Sequence, residues 1–291
     1  MIRSFVLRNL TLFFRDKAAV FFSLLSPLIL FVLYIFFLGE VQVKSLIENT
    51  PGVAEADIRL FMNSWVFSGI IAISTITTSL AGIGIFVQDR VSGRFRDFAV
   101  SPAPRWKIVL SYLISTFITS FAISLVVLVV SHVYLMIASG ADLPTWAYIG
   151  DILWRVALLT VTFSALASLV VAFIKSDSVF TSVNVIAGTV IGFLAGVYVP
   201  VGVLPNGVAS TVNALPFSQA TVLIREPMAG PAIEAMDTNK ETKDALYTSY
   251  GVDIKIGENK VAESTILTVL VFITLVSLAA GIVRTARVVR E

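Results

Sequence analysis

The chain alternates long apolar runs with polar interruptions, and six of the runs are long enough to predict membrane-spanning helices. They fall at about residues 18–38, 61–87, 108–138, 152–174, 179–199 and 264–283. Ahead of the first run, residues 1–17 are amphipathic. Ile2, Val6, Leu10 and Phe13 share one helical face, and Ser4, Arg8, Thr11 and Arg15 share another. That pattern predicts a helix lying in the interface, apolar face in lipid and arginines toward anionic headgroups. Pro27, near the middle of the first span, predicts a kink or local unwinding. Residues 39–60 and 226–263 are polar and read as aqueous segments. Residues 200–225 hold Pro200, Pro205, Pro216, Asn206, Asn213 and Gln219. They are too polar and too interrupted for a lipid-facing span, and they predict a re-entrant or interfacial helix pair packed on protein.

The interruption at 88–107 has a pattern of its own. Val91, Phe95, Phe98 and Ala99 recur at helical spacing, with Arg90, Arg94 and Asp97 on the opposite face. Ser101-Pro102 ends this short helix, because the residue before a proline is pushed out of the α region. Pro104 suits the first turn of the next long helix. A short amphipathic helix tied at both ends to membrane spans cannot move independently of them. It lies on the membrane surface or hands force to a partner.

Charge orients the six spans. Both termini, the 88–107 loop and the turn at Lys175 share one side, which collects 13 of the 21 basic residues against five acids. The other side keeps eight basic and 14 acidic residues. Basic residues near span ends mark the cytoplasmic side, so both termini are expected in the cytoplasm. A seventh span over 208–224 would put the basic tail outside and is rejected on the same rule. The apolar start lacks a small-residue cleavage site and is not expected to be a cleaved signal.

Composition removes several chemistries. With 57% hydrophobic and 14% charged residues, the chain is an integral membrane protein without a sizeable soluble domain. It has no cysteine, so disulfides and thiolate metal sites are excluded. Its single histidine, His132, makes a histidine metal site or a serine-protease dyad a poor reading, and no metal is expected. The cores of the six spans carry no Asp, Glu, Lys or Arg, and Arg155 lies only near the outer end of the fourth. Proton- and sodium-coupled carriers use intramembrane charges, so such a mechanism is disfavoured. No GxxxxGK[ST] occurs, so ATP, if it drives the chain, is bound elsewhere. Nothing points to nucleic acid.

Gly188, Gly192 and Gly196 stand four apart in the fifth run, a doubled GxxxG that lets helix backbones approach closely. It reads equally as a seam between two copies and as packing within one. Asn184, one turn earlier on the same face, suits a hydrogen bond to a neighbouring span or a contact with cargo.

Three stretches together carry a family likeness: RSFVLRNLTLFFRDKAAVFFSLLSPLI at the start, QDRVSGRFRDFAVSPAPRWKIVLSY after the second span, and VYVPVGVLPNGVASTVNALPFSQATVLIRE after the fifth. In order and spacing the chain resembles the membrane subunit (permease) of type-2 ATP-binding cassette exporters over nearly its whole length. Asp89, Gly93, Ser101-Pro102 and Arg105 match the pattern of the second stretch, with Asp89 standing where glutamate is commoner. The resemblance implies a single all-α membrane domain over 1–291. It would have six spans, an N-terminal interfacial helix, a cytoplasmic coupling helix at 88–99 and a re-entrant outer element capping a cavity. It implies two permeases, a homodimer or a pair with a close paralogue, with two separate ATPase subunits that bind ATP and magnesium. It implies a bacterial inner membrane as the setting.

The coupling residues on that reading are Asp89, Arg90, Val91, Gly93, Arg94, Phe95, Asp97 and Phe98. Phe95 and Phe98 would anchor in the partner, with Arg90, Arg94 and Asp97 at the rim. A cavity lined by the second and fifth spans would take Asn63, Ser74, Thr78 and Asn184 as its polar lining. The expected function is ATP-driven export of an amphipathic or lipid-like cargo, with no catalytic site in the chain. The competing reading is a non-transporting membrane anchor or sensor whose recognition surface is the acidic segment 226–263.

Overall fold

A computed structural model describes residues 2–95, 104–256 and 259–288. Apart from one two-residue antiparallel β pair, Lys255–Ile256 with Asn259–Lys260, its regular structure is helical. Among the described residues, six helices are long and apolar enough to cross a membrane.

The first of them is built around a proline. Helix α1 (Ile2–Arg15) is followed by α2 (Lys17–Ser23), whose N-terminus is capped by Asp16 accepting from the Ala19 N–H at 2.9 Å. The chain then turns at Leu24 into α3 (Leu25–Leu33). Pro27 has no N–H to give the Ser23 carbonyl, so the break falls one turn before the proline. The orphaned carbonyl accepts instead from the Thr77 hydroxyl of the second span, at 3.1 Å. A five-residue π-helical turn (Tyr34–Leu38) follows, with the Gly39 N–H donating to the Tyr34 carbonyl. A side chain at Gly39 would meet that carbonyl at 2.9 Å.

The helix then continues as α4 (Gly39–Asn49), where an aqueous segment is predicted. A stripe of Val43 and Leu46 is buried, and Arg59 bonds Glu40 at 2.7 Å and Glu55 at 2.8 Å across the junction to the next helix. The polar face of α4 dominates its composition and hides the stripe.

Helix α5 (Glu55–Val91) has 37 residues, about 55 Å at 1.5 Å per residue. It is the central post: 94% of its most apolar stretch is buried inside the chain. Around it stand α6 (Arg105–Ser139), α7 (Trp146–Val171) and α8 (Asp177–Leu194). Gly140, at φ 65°, ends α6 in the left-handed conformation that favours glycine. Thr145 and Ser176 cap the starts of α7 and α8.

Beyond α8 come a 3-10 turn (Val201–Val203), α9 (Asn206–Ala214) and α10 (Pro216–Ala235). The stretch 200–225 thus holds helices, and the second runs ten residues further, into the segment read as aqueous. Pro227, inside α10, cannot bond the Leu223 carbonyl, and Arg155 of α7 supplies the missing donor at 3.0 Å. Helix α11 (Lys240–Ser249), capped by Asn239, and the β pair precede α12 (Glu263–Val288).

The core runs along α5. Phe61, Trp65, Phe67 and Ile71 meet Val156, Leu159 and Phe163 of α7 and Leu223 and Ile224 of α10. A second cluster, at the end where α5 finishes and α6 begins, contains Phe86, Phe95, Tyr112, Phe13 and Val171. Between them lies a hydroxyl seam. Ser120 of α6 bonds Thr78 at 2.8 Å and Ser79 at 2.9 Å, Ser124 meets Ser74 at 3.3 Å, and Ser79 meets Ser164 of α7 at 3.3 Å. Small hydroxylated residues let helices approach in an apolar solvent, and such bonds average about 0.6 kcal/mol each.

Candidate functional site

Of the segment 88–107 the structure describes 88–95 and 104–107, and the chemistry there centres on Asp89. This side chain sits in the last turn of α5 and is fully buried. An ionised carboxylate in that position needs donors on both oxygens. Arg8 of α1 supplies a two-pronged pair, at 2.6 Å to one oxygen and 2.8 Å to the other. The Tyr112 hydroxyl of α6 donates at 2.5 Å, and Arg94 donates at 3.1 Å. The bond to Asp89 in turn holds the Arg8 guanidinium above its ordinary range. Beside Arg8, Asn9 is also buried and bonds Ser115 of α6 at 3.3 Å. One carboxylate therefore ties together the N-terminal helix, the end of α5, the start of α6 and the turn that follows α5.

The neighbours extend this node. Arg90 donates to the Ile174 carbonyl at 2.7 Å, fastening the same turn to the end of α7. Gly93, at φ 77°, reverses the chain there; among the described residues no atom lies within 4 Å of an added Cβ, and the positive φ itself favours glycine. Phe95 is 8% exposed and packs against Phe86, centroids 5.0 Å apart, and Tyr112. Val91 is exposed. Asp97 and Phe98 lie outside the described residues.

Two expectations need correction here. Phe95 is an internal anchor rather than a protruding one, because the turn at Gly93 folds it beneath Phe86. The apolar face of α1, through Val6 and Phe13, rests on protein rather than lipid, and Arg8 faces Asp89 rather than headgroups. A lipid-facing and a protein-facing stripe have the same periodicity, so sequence could not separate them. The signal for the node was a lone Asp closing a long apolar run, with an Arg on an amphipathic helix elsewhere; nothing local pairs residues 81 positions apart.

The predicted cavity residues are dispersed. Ser74 and Thr78 are wholly buried in the seam between α5 and α6, where their hydroxyls are engaged with neighbouring helices. Asn63 donates to Ser139 of α6 at 2.7 Å. Asn184 is half-buried and donates to the Phe180 carbonyl of its own helix. The three glycines do not form one seam. Gly188 faces Ser26, whose hydroxyl bonds the Gly188 carbonyl at 2.7 Å. Gly192 makes room for the Tyr198 ring, which an added Cβ would meet at 2.1 Å. Gly196 lies past the end of α8 at φ 61° and turns the chain back. His132 packs against Tyr148; with its Nδ1–H donating to the Leu128 carbonyl, Nε2 accepts from the Tyr148 hydroxyl at 2.9 Å.

At the opposite end, Arg155 is nearly buried and pairs with Glu263 at 2.9 Å, Asp151 at 3.0 Å and Glu226 at 3.5 Å. It joins the starts of α7 and α12 to α10. Burial pushes the Glu226 carboxyl up, and so does the repulsion of Glu263, Asp151 and Asp253, against the pull of Arg155. Arg225, also on α10, is buried and among the described residues pairs with no acid, and burial brings its guanidinium down to about 9, still protonated at neutral pH.

A family model described as ABC-2 type transporter matches residues 2–228, which takes in the Asp89 node, Arg155 and Arg225. The chain belongs to that family. No curated protein matches it. As an ABC-2 permease, it is a multi-pass membrane subunit without a nucleotide-binding site of its own, of a class that functions with ATPase subunits. The match includes α1, in keeping with a helix held to the domain through Arg8 and Asp89. Among the described residues no group of His, Cys, Asp and Glu is arranged to hold a metal ion.

Proposed function

We propose that this ABC-2 permease is the membrane half of an ATP-driven exporter, and that the Asp89 node is where force from a separate ATPase enters it. The observation that carries the reading is the set of four hydrogen bonds on one buried carboxylate. A push on the segment 88–107 cannot be absorbed locally, because Asp89 and Arg90 fasten its start to α1, α6 and α7 together. ATP and magnesium are bound by the partner, and clamping of two ATPases turns the coupling segments of two permease copies. The positive excess on the Asp89 side supports a cytoplasmic location for both termini and for that segment in a cell inner membrane.

The cavity role passes from α5 to the surface of α8. The apolar stretch of α8 is only 17% buried, leaving Ser182, Thr189, Val185, Ile186 and Phe193 uncovered toward a second copy or the path between copies. A surface of hydroxyls among large apolar side chains suits an amphipathic or lipid-like cargo, such as a drug, a peptide or a lipid-linked glycan. Helices α9 and α10, with α11, cap the path on the outer side. The test is co-purification with candidate ABC ATPases co-expressed with this chain, then reconstitution and a screen for cargo-stimulated ATP hydrolysis. Stimulation and ATP-dependent transport are expected. Failure to retain any ATPase would favour an anchoring role instead.

A further inference from the structure

Among the described residues two arginines are buried, Arg155 and Arg225, and Arg225 differs from the other in its partners. Arg8, Arg59, Arg94 and Arg155 each pair with a carboxylate. Arg225 is 1% exposed, and its hydrogen-bond partners are backbone carbonyls: Tyr250 at 2.9 Å, Gly251 at 3.2 Å and Gly196 at 3.1 Å. Its Nε makes no hydrogen bond. The guanidinium lies over the Trp65 ring, 4.9 Å from the centroid, and the Trp65 N–H donates to the same Tyr250 carbonyl at 2.6 Å. A cation so placed keeps its full charge in surroundings that oppose it, with neutral carbonyls and a ring face to offset the burial.

The carbonyls come from two segments that α10 must release in order to move. Gly196 is the left-handed end of α8, and Tyr250 and Gly251 follow α11. The carbonyls are neutral acceptors, whereas a phosphate or carboxylate adds attraction between opposite charges and takes a guanidinium with two parallel donors. An anion reaching Arg225 would therefore outcompete the carbonyls one for one, and the aromatic face beneath would receive the apolar part next to the headgroup.

We propose that Arg225 is an anion-responsive latch. The phosphate or carboxylate of an amphiphile replaces the carbonyls of Gly196, Tyr250 and Gly251 on its guanidinium, with Trp65 as the platform, and frees α10 from the end of α8. The inference rests on the permease reading only in taking that amphiphile to be cargo or outer-leaflet lipid; the binding event itself needs no ATPase.

The test uses the full chain in phosphatidylcholine nanodiscs, with Trp106, Trp146 and Trp154 changed to Phe so that Trp65 alone reports. Dodecyl phosphate should change Trp65 emission saturably, and dodecyltrimethylammonium should not. The apparent affinity for the phosphate should fall at least tenfold in Arg225→Gln and less in Arg225→Lys, which keeps the charge but not the fork. In phosphatidylglycerol nanodiscs, emission already at the bound value identifies the lipid headgroup as the source. Response only to added dodecyl phosphate identifies a cargo-like molecule. An equal response in Arg225→Gln, an equal response to the cationic amphiphile, or none to either anion overturns the latch. If Arg225→Gln does not fold, the phosphate–ammonium contrast in the Trp65-only chain and the Arg225→Lys titration decide the matter. A Trp65 response in a chain that never couples to an ATPase would sink the permease reading and leave the latch standing.

Discussion

Replacing Asp89 with Asn tests the node without changing its volume. The amide keeps one acceptor and puts an N–H₂ where Arg8 or Tyr112 now donates, so at least one leg of the Arg8 pair is lost. Breaking a buried ion pair from one side costs about 3–5 kcal/mol. Arg8 retains access to water, with 29% of its side chain exposed, and Arg94 is more exposed still. The loss is therefore taken at the lower bound, about 3 kcal/mol, as solvent screening requires. It falls on the attachment of α1, which Asp89 holds from outside its own helix. Because the chain has no cysteine, Val6→Cys, a nearly isosteric change at a buried position of α1, gives a clean probe of that attachment. When reclosing is fast, labelling by a maleimide follows the open population, so about 3 kcal/mol corresponds to roughly a hundredfold faster labelling. Arg8→Met should produce a similar rise, and the double variant little more than either alone, because the two changes remove one interaction. Labelling of Asp89→Asn within threefold of the parent would refute the assignment of Asp89 as the residue that holds α1.

Three further outcomes follow from the same geometry. Gly192→Ala drives a methyl into the Tyr198 ring and should cost about 1–3 kcal/mol in thermal unfolding, whereas Gly188→Ala, whose nearest contact would be 3.6 Å, should be close to neutral; equal costs would restore the single-seam reading. Thr77→Val should cost about 0.6 kcal/mol in the parent and nothing in a Pro27→Ala background, where residue 27 regains the N–H that serves the Ser23 carbonyl; a double-mutant cycle measures the difference. Glu226 has a raised folded-state pKa, so the stability it contributes is fully present below its ordinary value of 4.5 and is lost as pH rises through the folded value. Glu226→Gln should accordingly melt above the parent at neutral pH and converge with it in acid, and a melting curve of unchanged pH dependence would contradict this.

That six helices could cross a membrane was legible because it depends on composition over long windows, which neighbouring residues cannot disguise. Helix α4 was not, because two buried residues, Val43 and Leu46, among eleven leave its average polar. The helix-to-helix bonds of Ser74 and Thr78 were hidden for a different reason. A hydroxyl facing a cavity and a hydroxyl bonding a neighbouring helix are the same residue at the same spacing, and only the position of Ser120 distinguishes them. Pro27 was correctly expected to disturb its helix, but the carbonyl it orphans lies a turn earlier, and the residue that satisfies that carbonyl is in another helix. Pro227 repeats the pattern with Arg155 as donor. Long-range partners of this kind, Arg8 with Asp89 above all, appear in one sequence only as unexplained polar residues in apolar surroundings.

The central claim is that Asp89 transmits work between the ATPase and the membrane path, and the number of cargo molecules moved per ATP hydrolysed in proteoliposomes measures it directly. With the ATPase still bound and turning over, Asp89→Asn is predicted to lower that ratio at least tenfold. An intact complex whose ratio stays at the parent value would contradict the account.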